Sequence, residues 1–404
     1  MTADRHPHTT PVAALLVASA MLAACGASDD SSGDADETPA ATTSDEAATP
    51  GAPGTTDEPT DTATPASTDD PGTTDTPAPD VTETVTLVAY ESFPSEDTPI
   101  NEQLAAFTAD TGIGVEILIA GDTGTMLSKA ELTAGNPEGD VMWGIDNTFL
   151  TRAIDSGIFE PYVSPGIDSV DPRFTDLVPN GEATPVDFGD VCINYDIAAL
   201  EGLGVEPPTS LDDLIDPAYA DLLVVENPAT SSPGLAFLLA TIDEYGDDGW
   251  QDYWSGLVDN GVSVTDGWTD AYYGEFTYAG GDRPLVVSYG SSPPFEVLFG
   301  DGLTEAPTGV VESTCYRQVE FAGILAGTDQ PDAAQQLIDF LISEPFQAEV
   351  ALNVFVFPVN TYVELDPAFA DFAVIPDESR SLDTEDVDAN REDWIDEWTD
   401  LVIG

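Results

Sequence analysis

The run VTLVAY, residues Val85–Tyr90, is the first of three short β-rich segments that alternate with helical patterns. A helix signal over residues 98–112 follows it, and the next β-rich run is Val115–Ile119. A second helical segment, at about residues 125–134, leads to a third β-rich run, Val141–Ile145. Because strands that alternate with helices assemble into largely parallel sheets, the pattern predicts an α/β domain with a mainly parallel sheet.

The same alternation recurs beyond residue 220, and two longer extended segments, near residues 186–195 and 314–325, join the two series. This arrangement is typical of a binding protein in which two α/β lobes close about extended hinge strands. We predict that residues 85–189 plus 316–404 form lobe I and that residues 190–315 form lobe II. The remaining predicted elements are strands at 222–226, 262–264 and 285–289, and helices at 233–245, 250–258, from about 269, at 332–343, at 346–352 and at 386–402.

The charge of the chain is extreme, because 77 Asp and Glu residues stand against 8 Lys and Arg residues, for a formal net charge of −69. We expect no nucleic-acid partner, since binding to phosphates depends on Lys and Arg. The 42% of hydrophobic residues and the 6 Trp residues nevertheless predict a packed body. Acid dispersed at this density is typical of a high-salt habitat, where ions screen the self-repulsion of the protein.

An apolar run at residues 11–24 predicts a signal peptide, residues 1–24. It ends in Leu-Ala-Ala-Cys, which resembles the lipoprotein processing box of bacteria and makes Cys25 the expected lipid anchor. The alternative is an ordinary signal peptide followed by a chance cysteine. Residues 25–84 are rich in Asp, Thr and Pro and predict a disordered acidic tether. The protein is therefore expected outside the cytoplasm, anchored to the outer face of the cell membrane.

Two further cysteines, Cys192 and Cys315, fall on the two extended segments. Outside the cytoplasm they can form a disulfide. The bridge would close a long loop, for which chain entropy gives an upper figure of about 4–5 kcal/mol. The alternative is a pair of buried free thiols.

Imidazole chemistry is absent from the predicted mature chain, because both histidines, His6 and His8, lie in the predicted signal peptide. This excludes a Ser-His-Asp triad and a histidine metal site. The sequence contains no P-loop and no G-x-S-x-G motif. We therefore expect no enzyme activity, no cofactor and no metal site.

The stretch Asp266–Pro294, DGWTDAYYGEFTYAGGDRPLVVSYGSSPP, mixes aromatic residues with Gly, Asp and Ser. This composition is typical of a wall that faces a flat cationic ligand, although a packed core is the alternative. Polar residues also follow predicted strands at Tyr90–Glu91, Gly121–Thr123 and Asp146–Asn147, and the hydroxyls of Thr230–Ser232 begin a helix. Because ligands of α/β sheets bind beyond the carboxyl ends of the strands, these residues predict a cleft.

The chain resembles the thiamine-binding receptors of ABC importers, a branch of the bilobal class that also includes ferric-ion and polyamine receptors. The resemblance covers almost all of residues 85–404, and its most specific elements are GWT-x-AY and SYxxSP. It implies a type II periplasmic-binding-protein-like fold, a small-molecule ligand, and a membrane permease with its ATPase subunit as partners; we expect a monomer. The matching motifs are AYESF (Ala89–Phe93), GDVMWGIDNTFL (Gly139–Leu150), NPATSSPGLAFLL (Asn227–Leu239), YGDDGW (Tyr245–Trp250), VSVTDGWTDAYYGEF (Val262–Phe276), LVVSYGSSPP (Leu285–Pro294) and FPVN (Phe357–Asn360).

Carried over position by position, the resemblance implies a set of ligand contacts. In that reading, aromatic rings hold the thiazolium cation and the flat aminopyrimidine of thiamine, at about 0.5–2 kcal/mol for each contact. Hydroxyls and backbone amides take the hydroxyethyl or phosphate end. The implied contacts are Tyr90, Asp122, Thr123, Ser231, Trp268, Tyr272 and Tyr289, with Ser232 and Ser292 as further candidate hydroxyls.

Two positions leave the details of this site open. Asp146 is expected to meet the aminopyrimidine edge, with a role as a helix cap as the alternative. Phe355 stands where the family pattern has Trp, so an aromatic ring is kept but an indole N–H is lost. The choice between thiamine and its phosphates stays open for the same reason.

The adjacent pair Tyr272 and Tyr273 supports a rival interpretation, because ferric-ion receptors use such a pair as phenolate ligands. A polyamine or another cationic solute is the second alternative. Within the thiamine interpretation, Tyr273 and Tyr278 are expected to pack rather than to contact the ligand.

Overall fold

The computed structural model describes residues 81–94, 98–300 and 302–404. The predicted signal peptide, Cys25 and all but the last four residues of the predicted tether lie outside the described residues. Within the described ranges, no helix combines the length and the apolar character that a membrane span requires.

Strands and short or medium helices alternate along the described chain. The strands are β1 (Glu83–Ala89), β2 (Ile113–Ile119), β3 (Val141–Asp146), β4 (Phe159–Glu160), β5 (Thr184–Asp196), β6 (Leu223–Glu226), β7 (Ser263–Thr265), β8 (Leu285–Tyr289), β9 (Thr308–Leu325) and β10 (Phe357–Pro358). The helices are α1 (Pro99–Thr111), α2 (Thr123–Leu132), α3 (Leu150–Asp155), α4 (Pro172–Thr175), α5 (Ile197–Leu203), α6 (Ser232–Tyr245), α7 (Trp250–Asp259), α8 (Ser292–Phe299), α9 (Pro331–Leu341), α10 (Glu344–Asn353), α11 (Pro367–Ala370) and α12 (Thr384–Val402).

The ten strands of the described residues form one mixed sheet, with the order β2-β1-β3-β9-β5-β8-β6-β7 and with β4 and β10 beside β9 and β5. Pairing is parallel among β2, β1 and β3 and again among β8, β6 and β7. It is antiparallel where β9 and β5 join these two groups. The mainly parallel sheet that the sequence predicts is therefore confined to the two outer groups, because the long strands β5 and β9 run between them in opposite directions.

The antiparallel pair of strands β5 and β9 contains a bulge and is joined by a disulfide. Val191 pairs with Tyr316 and Ile193 pairs with Val311, so residues 312–315 of β9 face Cys192 alone. Cys192 and Cys315 are bridged there, as the cysteine positions predict, with their Cα atoms 4.2 Å apart. The bridge ties β5 to the bulged side of β9 in the middle of the sheet.

Helix α1 agrees with its predicted pattern in most respects. Ile100, Leu104 and Phe107 are its buried residues, and Gly112 ends it in the left-handed conformation at φ 76°. The predicted cap, Thr98, stands at the N-cap position, but its hydroxyl donates to Asn101 Oδ1 at 2.5 Å instead of capping a backbone N–H. The predicted face of the helix is therefore present, while its start is held by a side-chain pair.

The C-terminal helix α12 packs through its aromatic residues, as its sequence stripe predicts. Trp398 is fully buried, Trp394 is 8% exposed and Leu401 is half-buried. The ring of Trp398 meets the ring of Trp254 of α7 edge-on, with 5.4 Å between centroids. This contact fixes α12 against α7, which packs on α6.

Candidate ligand-binding cleft

A cavity of about 460 Å³ lies where β1 and β8 end and where α2, α6 and α8 begin. Two of the three predicted strand ends, Tyr90–Glu91 and the one at Asp122–Thr123, therefore meet at this cavity, as expected for the carboxyl ends of parallel strands. Both predicted lobes contribute lining residues. Nine of the predicted contacts line the cavity: Tyr90, Asp122, Thr123, Ser232, Trp268, Tyr272, Tyr289, Ser292 and Phe355.

Two predicted contacts, Asp146 and Ser231, are fully buried and do not line the cavity. The Asp146 carboxylate accepts hydrogen bonds from the Ser232 hydroxyl, from Thr148 Oγ1 at 2.7 Å and from the Thr148 N–H at 3.1 Å. Asp146 thus holds the turn that leads into α3, which is a structural role, while the N-cap position of α3 is occupied by Phe149. Ser231 occupies the N-cap position of α6, behind Ser232.

Tyr272 and Tyr273 lie on a π-helical segment, Asp270–Glu275, and their rings point in different directions, 79° from parallel. Tyr272 is 1% exposed, and its hydroxyl donates to the carboxylate of Glu296. Tyr273 is 48% exposed and lines the cavity. Tyr273 packs edge-on against the ring of Trp268, and the π-helical turn also exposes its ring to the cavity. The expectation that Tyr273 packs rather than contacts the ligand stays a prediction.

Trp268 is fixed on three sides. Its ring stacks on Tyr272, its indole Nε1 donates to Ser288 Oγ at 2.9 Å, and its backbone N–H donates to Asp122 Oδ2 at 3.2 Å. Ser288 Oγ in turn lies 2.8 Å from Ser292 Oγ. The indole face is therefore held in one orientation before any ligand binds, which lowers the entropy cost of binding.

The ring of Tyr90 rests on the sheet at Gly144. A Cβ atom at Gly144 would lie 2.7 Å from Tyr90 Cδ1, which is too close. The backbone of Gly144 also has φ 124°, a conformation that residues with a side chain rarely adopt. Gly144 also lies at the register shift between β3 and β9. The glycine therefore lets the ring of Tyr90 approach the β3 backbone closely where it lines the cavity.

Phe355 has a left-handed backbone, with φ 58°, which is uncommon for an aromatic residue. The hydroxyl of Ser291 donates to the carbonyl oxygen of Phe355 at 2.6 Å and holds it there. Its ring meets Phe295 and Phe299 edge-on, with centroids 4.9 Å and 5.9 Å away. These three rings form an aromatic wall that sequence reasoning reached only at Phe355.

Glu320 of β9 is a lining residue that the sequence reasoning missed. It pairs across the sheet with Asp187 of β5 and Asp146 of β3. Burial raises its pKa well above the usual value, and the neighbouring carboxylates of Asp187 and Asp146 raise it further. The available signal was a single acidic residue within the otherwise apolar run VEFAGIL, residues 319–325.

The electrostatics of the cavity favour a cation. Of the described residues that line it, none is Lys or Arg. Burial raises the pKa of Tyr90 and Tyr289 well above the usual value, and the Glu320 carboxylate adds to both shifts. The phenols therefore stay neutral beside buried carboxyl groups, and their ring faces attract positive charge.

The ferric-ion interpretation depends on the phenols of Tyr272 and Tyr273. Within the part of the chain that the structure describes, no group of three His, Cys, Asp or Glu residues is arranged to hold a metal ion. The pKa of Tyr272 is raised well above its usual value by burial and by Glu296, which opposes the phenolate that iron requires.

Two long antiparallel strands run between two groups of parallel strands, and an aromatic cavity lies at the strand ends. This arrangement defines a receptor of the bilobal periplasmic-binding-protein class. The chain belongs to the family of bacterial extracellular solute-binding proteins, which matches residues 139–390. It is 30% identical over 314 residues to the thiamine-binding periplasmic protein of Escherichia coli (strain K12), covering 78% of this chain and 92% of that protein.

Solved structures agree with this assignment. A periplasmic thiamin binding protein superposes with a TM-score of 0.69 at 28% identity, covering 79% of this chain and 96% of that chain. Iron-bound HitA from Pseudomonas aeruginosa superposes with a TM-score of 0.63 at 20% identity, covering 79% of this chain and 99% of that chain. The second likeness shows the fold alone.

Proposed function

We propose that this protein is the receptor of an ABC importer for thiamine and binds it between the two lobes. The observation that carries the proposal is the oriented Trp268 face in a cavity whose other walls are Tyr90, Tyr289, Phe355 and the carboxyl group of Glu320. Such a site suits a ligand with two flat rings and one positive charge. The similarity to thiamine-binding periplasmic proteins supports the same ligand.

Each part of thiamine has chemically suitable neighbours in this arrangement. The thiazolium cation faces aromatic rings and Glu320, at about 0.5–2 kcal/mol for each cation–π contact. The hydroxyethyl end, or a phosphate on it, lies at the first turns of α2 and α6, beside Thr123 and Ser232. Helix N-termini offer free N–H groups to oxygen ligands of this kind.

Ligand capture in this proposal is binding without chemistry. Lobe I is residues 85–189 plus 316–404 and lobe II is residues 190–315, joined at β5 and β9. Ligand contacts from both lobes favour the closed form, which docks on a membrane permease whose ATPase subunit drives import. The protein acts as a monomer held to the outer face of the membrane through a lipid on Cys25, after removal of the signal peptide.

Isothermal titration tests the proposal directly. Thiamine, its monophosphate, its diphosphate, spermidine and ferric citrate are titrated into the protein in turn, with quenching of tryptophan fluorescence as a second signal. We expect saturable binding of at least one form of thiamine and no turnover of it. Heat from spermidine or ferric citrate alone would reject thiamine as the ligand.

A further inference from the structure

Two buried carboxyl groups, Asp187 and Glu320, face each other across β5 and β9 beside the cavity. Asp187 is fully buried and Glu320 is 8% exposed. The indole Nε1 of Trp143 donates to Asp187 Oδ2 at 2.9 Å. The remaining buried oxygens, Asp187 Oδ1 and Glu320 Oε2, have no hydrogen-bond donor among the described residues.

The titratable groups around Glu320 are carboxylic acids and phenols. Asp187 of β5, Asp146 of β3 and Asp122 before α2 raise its pKa beyond the effect of burial. The phenols of Tyr90, after β1, and Tyr289, at the end of β8, are also close enough for the Glu320 carboxylate to raise their pKa.

The nearest arginine along β9 offers no positive charge to this pair. Arg317 lies three residues before Glu320 and binds Asp190 instead, with Nε 2.8 Å from Oδ1. Two ionised carboxylates side by side without a cation are costly in a low-dielectric interior. The empty pair is therefore expected to keep at least one proton at neutral pH.

We infer that the Asp187–Glu320 pair recognises the charge of the ligand by exchanging a proton for it. In the empty cleft a proton is bound to a carboxyl oxygen of the pair. When a cationic ligand binds beside Glu320, that O–H bond breaks, its electron pair stays on the carboxylate, and water accepts the proton. The identity of the cation, thiamine, rests on the proposed function.

This exchange keeps the net charge of the buried site constant. A ligand cation replaces a proton, so the charge in the cavity is the same before and after binding, and the second ionised carboxylate is always beside either a carboxylic acid or the cation. A neutral ligand of the same shape lacks the charge that would displace the proton. Affinity for the cation should therefore rise with pH while the pair is protonated, by about tenfold per unit for one released proton.

Calorimetry in two buffers measures the proton directly. Thiamine is titrated at one pH near neutrality in phosphate and in Tris, whose ionisation enthalpies differ. The difference in heat should correspond to about one proton released by the wild type and to none released by Glu320→Gln. Glu320→Gln should also weaken thiamine binding about tenfold or more, while changing the affinity for a neutral analogue with a carbon in place of the thiazolium nitrogen by less than about twofold.

Two further variants make the test specific. Asp187→Asn keeps an acceptor for Trp143 and removes the second carboxyl, so it should also abolish proton release; it carries the test if Glu320→Gln does not fold. Glu116→Gln makes the same chemical change at an exposed position on β2 and should behave as wild type.

The empty protein supplies a readout without any ligand. The infrared C=O stretch of a protonated carboxyl should be present at neutral pH in the difference spectrum between wild type and Glu320→Gln. Thiamine binding without proton release, or absence of that band, would overturn the inference and leave the thiamine proposal standing. A band together with no binding of thiamine would reject thiamine as ligand and support the protonated pair.

Discussion

The indole ring of Trp268 stacks on the phenol ring of Tyr272, with centroids 4.8 Å apart and planes 21° from parallel. Tyr272 supports the indole from the protein side, and the neighbouring Tyr273 meets the same indole edge-on from the cavity side. The two adjacent tyrosines therefore have different roles, one in the support of the wall and one on its surface.

Replacement of Trp268 by Ala should weaken thiamine binding about tenfold or more, because it removes a fixed aromatic face from the cavity. Fluorescence quenching or calorimetry gives the affinity, and circular dichroism checks that the fold is kept. The matched control is Tyr362→Ala, an aromatic residue that is 69% exposed and does not line the cavity. Wild-type affinity in Trp268→Ala would place the ligand elsewhere.

The two tyrosines should respond differently to truncation. Tyr272→Ala removes a buried ring and should lower the free energy of unfolding by about 3–5 kcal/mol, the usual cost of a large core truncation. Tyr273→Ala should cost less than about 1 kcal/mol of stability and should act mainly on ligand affinity. Urea unfolding measures the first quantity and titration the second. Equal losses of stability in the two variants would contradict this division.

Stability should fall as pH rises from about 4.5 to about 7, since burial raises the pKa of Glu296 from 4.5 to about 7. Between these values the folded protein holds a proton that the unfolded chain has lost, so deprotonation favours unfolding. Urea unfolding at pH 5 and pH 8 measures the difference. Glu296→Gln removes this group, so the change in the free energy of unfolding between pH 5 and pH 8 should be smaller in the variant than in the wild type, by on the order of 1–3 kcal/mol. An unchanged slope in the variant would show that Glu296 titrates normally.

Loss of the Cys192–Cys315 bridge should lower the free energy of unfolding by about 2–5 kcal/mol. The bridge joins residues 123 positions apart and so restricts the unfolded chain strongly. Chemical denaturation of the Cys192→Ala/Cys315→Ala double variant measures the loss, and Cys25→Ala is the control. Because neither sulfur lines the cavity, the affinity for thiamine should change by less than about threefold. A double variant as stable as the wild type would mean that strand pairing alone holds β5 and β9 together.

Salt should stabilise the protein, because its formal net charge of −69 produces strong self-repulsion. The Debye length falls from about 10 Å at 0.1 M salt to about 3 Å at 1 M, so the melting temperature should rise across that range. Thermal scans in both KCl and NaCl separate screening from binding of one particular ion. A flat or falling melting temperature would count against adaptation to high salt.

Local patterns predicted many of the elements. Strand β8 has the predicted bounds; β3, α6 and α7 each differ from theirs by one residue at one end, and β1 differs by two residues at its start and one at its end. These segments have clear apolar periodicity and end at Gly, Pro or polar residues, which act on the nearest few positions. Helix α8 is absent from the predicted elements, although it begins with Ser-Pro-Pro and Pro is favoured in the first turn of a helix.

The residues that line the cavity show the limit of what local sequence patterns predict. Motif resemblance selected nine residues that line the cavity, but it left out Tyr273, which also lines the cavity, and it included Ser231, which does not. Tyr272 and Tyr273, like Ser231 and Ser232, are neighbours in the chain, and their exposure depends on the helix type and on what packs behind them. Glu320 and Phe295 gave no motif signal and joined the site only through the sheet and the start of α8.

The sequence by itself determined the alternation of strands and helices, the acidic character of the chain, the lack of histidine chemistry outside residues 1–24 and the family motifs. These properties depend on composition and on residues close together along the chain. Only the tertiary structure decided that β5 and β9 lie antiparallel at the centre of the sheet, that Asp187 faces Glu320, and that Tyr272 rather than Tyr273 is buried. Those relationships join residues that are distant in sequence or differ only in the direction of a side chain, and packing of the whole sheet sets them.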